Sequence, residues 1–163
     1  MSGYFDEESG SAAASRGGEP AAGDPGPADV VVVAEVLMIS ANRSVEKDAA
    51  GLYYTPADPF AVSLTAPLGP ACAGCHVTWV FARALLDEGT RVPAGEGDVQ
   101  IWPAGSDGTI VELHGDDRAV LAMRFDTVDL RRFLERSYGV VAAGSETAGL
   151  DLDEELVKLL RSR

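Results

Sequence analysis

Cys72 and Cys75, separated by Ala-Gly and followed by His76, form a C-x-x-C-H string. That pattern serves three chemistries: attachment of a c-type haem, a dithiol redox couple, or part of a zinc site. Each needs a particular setting. Haem is attached outside the bacterial cytoplasm, and the opening residues MSGYFDEESG are acidic, unlike the basic start of an export signal. Axial ligation would fall to His76 with Met38 or Met123. Zinc would take a second pair of ligands, and only His76 and His114 remain besides the two cysteines. A thioredoxin-like dithiol belongs at a helix N-terminus, where the dipole lowers the thiol pKa. Here the cysteines lead into HVTWVF, which reads as a strand. Position therefore favours a turn between strands. The rival reading is a thiol-redox or metal-binding protein acting through Cys72, Cys75 and His76.

No other catalytic pattern stands beside this one. The chain has no G-x-S-x-G elbow, no phosphate-binding G-x-x-x-x-G-K-[ST] loop and no H-E-x-x-H. Gly95-Glu96-Gly97 lacks the lysine and the strand-to-helix setting of a phosphate cradle. Asp87-Glu88 and Asp116-Asp117 fall at a helix end and in a turn, where solvated carboxylates are the ordinary state. The chain is expected to be neither an enzyme nor the holder of a cofactor.

The elements that must position these residues come from a chain of 163 residues with 46% apolar content, enough for one domain with tails. Its net charge is −13, with 26 acidic against 13 basic residues. That balance repels nucleic acid and anionic membranes, whose binders cluster Lys and Arg. Protein partners are the remaining class. The longest apolar run, Val30 to Ile39, is broken by Glu35 and falls far short of the ~18 residues that span a bilayer. The expected location is the cytoplasm.

Residues 1–29 are rich in Gly, Ala, Ser and Pro, and read as a disordered acidic tail. Val30 then opens a nearly continuous β-branched run, as in a strand buried on both faces. After a polar link, ANRSVEKDAAG, a short aromatic piece leads through a turn at Pro56–Pro59 to the alternating FAVSLT. HVTWVF points Val77, Trp79 and Phe81 inward. ARALLDEG is a short helix with Leu85 and Leu86 towards the core and Gly89 as its stop. VQIWP, TIVEL and RAVLAMRF form three antiparallel strands. A helix follows, with Asp126 as N-cap, Leu130, Phe133, Leu134 and Tyr138 on one side, and Gly139 at its end. Beyond a flexible VVAAGSETAG, DLDEELVKLLRSR is an amphipathic helix with Leu152, Leu156, Leu159 and Leu160 in its apolar stripe. It can dock on its own domain, on a neighbouring subunit, or in a partner's groove.

YYTPADPFAVSLT, WVFARALLDEG, GEGDVQIWP and DLRRFLERS, with DLDEEL near the end, occur in this order. Together they resemble the SsgA-like family of actinobacterial sporulation and cell-division proteins. The resemblance runs from about Val30 to Leu160. It implies an α+β fold of two antiparallel β-sheets with helices, similar to the whirly-type fold, plus the C-terminal amphipathic helix. It also implies a non-enzymatic adaptor at division septa that forms homo-oligomers, with trimers as the expected form. The implied partners are cell-division proteins (the tubulin-like FtsZ or another SsgA-like protein) or the wall-synthesis machinery. Nucleic-acid binding does not carry over from fold likeness. The long acidic tail and the loop with Cys72 and Cys75 depart from the family pattern.

The expected layout is a tail at 1–29, the α+β domain at 30–140, and a linker with the helix at 141–163. Leu152, Leu156 and Leu159 are the candidate partner-binding residues. Tyr53, Tyr54, Trp79, Phe81 and Trp102 are expected in the core or at a subunit interface.

Overall fold

The computed structural model describes residues 28–40, 43–68, 72–115 and 120–148. Most of the expected acidic tail, Asp116-Asp117 and the candidate residues Leu152, Leu156 and Leu159 lie outside those residues. Seven strands and two helices follow in order: β1 (Val30–Ile39), β2 (Val45–Tyr54), β3 (Ala61–Pro67), β4 (His76–Ala82), α1 (Arg83–Gly89), β5 (Val99–Ala104), β6 (Gly108–His114), β7 (Val120–Asp126) and α2 (Thr127–Val140).

The strands form one antiparallel sheet in the order β4-β3-β2-β1-β7-β6-β5, curled as a half-barrel, and not the two sheets expected. β1 is the reason. Its full length pairs with β2, from Val30↔Tyr54 to Ile39↔Val45, while its last four residues also pair with β7, from Val36↔Phe125 to Ile39↔Ala122. Two meanders, β1–β4 and β5–β7, are thereby joined through a short ladder along a shared strand. A whirly-type arrangement does not follow from this topology.

Most of β2 falls in the expected polar link ANRSVEKDAAG, and its Val45–Ala49 are exposed on both faces with no apolar alternation. Backbone pairing with β1 makes it a strand, a force that side-chain pattern does not report. β1 itself is buried on one face only. Val30, Ala34, Val36 and Met38 enter the core, whereas Val31 is 43% and Val33 68% exposed. β-branched content specified the extended backbone, and the fold placed helices on a single side.

That side holds the core. Val62, Leu64, Val77, Trp79, Phe81, Ile101, Leu113, Met123 and Phe125 meet Leu86 of α1 and Leu130, Phe133 and Leu134 of α2, all buried as the inward-facing pattern predicts. α2 lies across β1 and β7, and α1 touches β4, β5 and α2.

Three local expectations change. Gly89 belongs to α1 and packs so close to Ile101 that a Cβ there would lie 2.3 Å from its Cγ2; contact, rather than backbone freedom, calls for glycine. Asp126 holds the N-cap position of α2 without a side-chain cap bond, and the Thr127 N–H donates to Asp107 O at 2.7 Å. Gly139 lies inside α2, which closes with Val141 N–H donating to Ser137 O.

Candidate functional site

Cys72 and Cys75 lie in the loop between β3 and β4 and are joined by a disulfide, with their Cα atoms 5.4 Å apart. Cys75 N–H donates to Cys72 O, and Leu68 N–H to Cys75 O, so this is a tight turn carried on a hairpin. His76 is exposed, and its Nδ1 lies 3.1 Å from Gly74 O. β4 follows directly, so no helix dipole faces the cysteines. His114 belongs to β6, across the sheet, where its Nε2 lies 2.6 Å from Glu112 Oε1, off the hydrogen-bond direction. Among the described residues no group of three or more metal-ligating side chains gathers, at this loop or elsewhere. Asp87 accepts from Tyr138 Oη at 3.2 Å and pairs with Arg91 at 3.2 Å.

The most constrained polar group in the described structure is one the sequence reading passed over. Arg83 opens α1 and is 1% exposed. Its guanidinium carbon lies 4.7 Å from the ring centre of Tyr54 and 4.2 Å from that of Tyr138. Nη1 donates to Ser137 O at 3.0 Å and to Val141 O at 2.9 Å, and Nη2 donates to Glu146 Oε1 at 2.9 Å. A cation is out of place at the start of its own helix. Here it sits instead on the last carbonyls of α2, where positive charge is favoured and unpaired carbonyls need donors.

This cluster shifts its acids. The Glu146 carboxyl is held below its ordinary value chiefly by the hydrogen bond from its own backbone N–H, against burial, with Arg83 and Gly144 adding to the effect. Burial pushes Tyr54 up; burial and then the Asp87 carboxylate push Tyr138 up. The guanidinium is surrounded by acceptors and rings of its own chain, so its work is structural. It fastens residues 141–148, expected to be flexible, to the start of α1.

Two open clefts flank the cluster. One, of about 270 Å³, lies between Pro56, Pro59 and Val140–Glu146, and the other, of about 250 Å³, between Asp87, Arg91, Arg131 and Tyr138. Both fall below the roughly 300–1,000 Å³ of small-molecule sites. Opposite the helices the sheet exposes Val31, Val33, Val45 at 56% and Val80 at 42%, and Tyr53 and Trp102 are half-buried on the same face of their strands. Of the five aromatic residues singled out, Tyr54, Trp79 and Phe81 are core, and Tyr53 and Trp102 belong to this second face. No helix among the described residues is long and apolar enough to cross a membrane.

Comparison with known proteins places these features. A family model described as Streptomyces sporulation and cell division protein, SsgA, matches residues 49–146, a span that contains the whole Arg83 cluster. The sporulation-specific cell division protein SsgB of Frankia casuarinae is 43% identical over 114 residues, covering 69% of this chain and 78% of its own. The protein of that name from Streptomyces coelicolor is 39% identical over 127 residues, covering 76% and 89%. A solved structure of an SsgA-like sporulation-specific cell division protein from Thermobifida fusca superposes with a TM-score of 0.67 at 30% identity, covering 79% of this chain and 93% of that one. Fold, matched span and sequence identity agree: the chain belongs to the SsgA family of sporulation and cell division proteins.

Proposed function

We propose that this protein is a non-enzymatic adaptor in sporulation-specific cell division, working by protein contacts at the septum. The observation that carries the reading is the helix-free face of the sheet. It leaves Val31, Val33, Val45 and Val80 exposed between 42% and 68%, in a chain whose relatives are named cell division proteins. The valines share that face with the Lys47–Glu35 ion pair, and protein interfaces are mixed surfaces of this kind. The domain self-associates, and trimers are the expected form. The partner is FtsZ, another SsgA-like protein or the wall-synthesis machinery. Leu152, Leu156 and Leu159, beyond the Arg83-anchored segment, are the docking handle for that partner.

A fluorescent fusion followed in sporulating hyphae beside labelled FtsZ tests the reading. Foci at septa before or with FtsZ are expected for recruitment, and arrival after FtsZ for septal wall assembly. A functional fusion that stays diffuse would sink it. Leu156→Asp is expected to abolish partner capture while the far-ultraviolet circular dichroism of the domain is unchanged. Unaltered capture by a folded variant would remove the C-terminal residues from the proposal.

A further inference from the structure

The β1–β2 ribbon outruns its neighbour. β2 pairs with β3 only at Gly51↔Thr65, Leu52↔Leu64 and Tyr53↔Ser63, although it continues along β1 for six residues beyond, to Val45. Continuing the register would set Ala49 against Pro67, which has no N–H to donate, and the ladder stops there. The parity of the backbone is also set. Asp29 N–H donates to Tyr54 O, so even-numbered positions of β2 bond towards β1. Val45, Lys47 and Ala49 therefore turn their N–H and C=O groups outward. Among the described residues no strand meets them, and the Ala49 N–H is held by its neighbour Asp48 Oδ1 at 2.8 Å.

We propose that this open stretch of β2, Val45–Ala49, accepts an extended basic segment of a partner protein as an added strand. Charge decides the occupant. Glu46 and Asp48 share one face of the ribbon, and Val45, Lys47 and Ala49 the other, where Lys47 is paired with Glu35 at 3.1 Å. A second copy of the chain does not fit. Antiparallel pairing of two such stretches in their fullest register sets Glu46 against Asp48 twice, and like charges directly opposite are destabilising. An incoming strand with Lys or Arg at alternate positions meets both acids and lays its intervening apolar residues beside Val45 and Ala49. The net charge of −13 draws such a segment in. Without a partner, the same acids keep the edge from pairing with itself. Val45 to Asp48 precede the span matched by the family model, and the inference stands apart from the septal role.

A short blocked peptide of alternating Val and Lys, compared with its Val–Glu counterpart, tests this on the full chain by calorimetry and amide hydrogen exchange. The basic peptide is expected to bind and to slow exchange at Val45 and Lys47, and the acidic one to do neither. Lys47→Pro removes an outward N–H without touching the β1 ladder, and it makes the edge more acidic. It should still weaken binding about tenfold or more. The Glu46→Lys, Asp48→Lys double variant should prefer the acidic peptide. Absence of binding overturns the proposal. So does binding that leaves the β2 amides unprotected and Lys47→Pro unaffected, the result of diffuse attraction to an acidic chain.

Discussion

Arg83 decides the behaviour of its neighbourhood at the residue scale. Arg83→Leu removes the cation and its bonds to Ser137 O, Val141 O and the Glu146 carboxylate; Ser137 O keeps the Val141 N–H and Glu146 its own backbone N–H. Leaving a buried carbonyl short of a donor costs roughly 1–3 kcal/mol, so urea denaturation should show a clear fall in stability. Glu146→Gln keeps Arg83 bonded to both carbonyls. Its effect should be local, with faster hydrogen exchange over 141–148 and little change in the unfolding midpoint. Acid should act in the same direction. The folded pKa of Glu146 is lowered from its ordinary 4.5, so its contribution is complete above that value and is lost as pH falls through the folded pKa. Amide exchange in 141–148, corrected for intrinsic rates, should therefore rise below pH 4.5 in the native chain and stay level in Glu146→Gln. None of this was legible locally. WVFARALL shows one arginine beside an apolar run, and its carboxylate partner lies 63 positions away.

At the scale of elements, the contact of α1 with β5 depends on a single hydrogen. Gly89→Ala would drive a methyl group into Ile101 and should cost about 1–3 kcal/mol, read as a lowered Tm. The helix-free face of β1 makes the converse case. Val33→Lys exchanges a 68% exposed valine for a charge, and stability should stay within about 0.5 kcal/mol. The proposed self-association should weaken if it uses that face, and sedimentation at rising concentration checks it. Most elements were legible because burial imposes period: Val77, Trp79 and Phe81 alternate, and Leu130, Phe133 and Leu134 recur at helical spacing. β2 was not, since Val45–Ala49 are held by backbone pairing and bury nothing.

For the whole molecule, a net charge of −13 and the absence of clustered basic residues lead to one more expectation. Single-stranded oligonucleotides should give no measurable binding near physiological salt in an anisotropy titration. Composition, period and the ordered motifs determined by themselves the α+β class, the inward residues of most elements and the SsgA family, because each is written in residue type and spacing. Tertiary structure alone decided three things. Whether the strands make one sheet or two turned on the pairing of Val36–Ile39 with β7, a contact between distant segments with no sequence signature of its own. Which face of β1 is core turned on where α2 lies, because valine suits either face. Arg83 gained its role only when folding brought Tyr54, Ser137, Tyr138 and Glu146 around it; an arginine's type names the charge it carries, and its surroundings decide what that charge holds together.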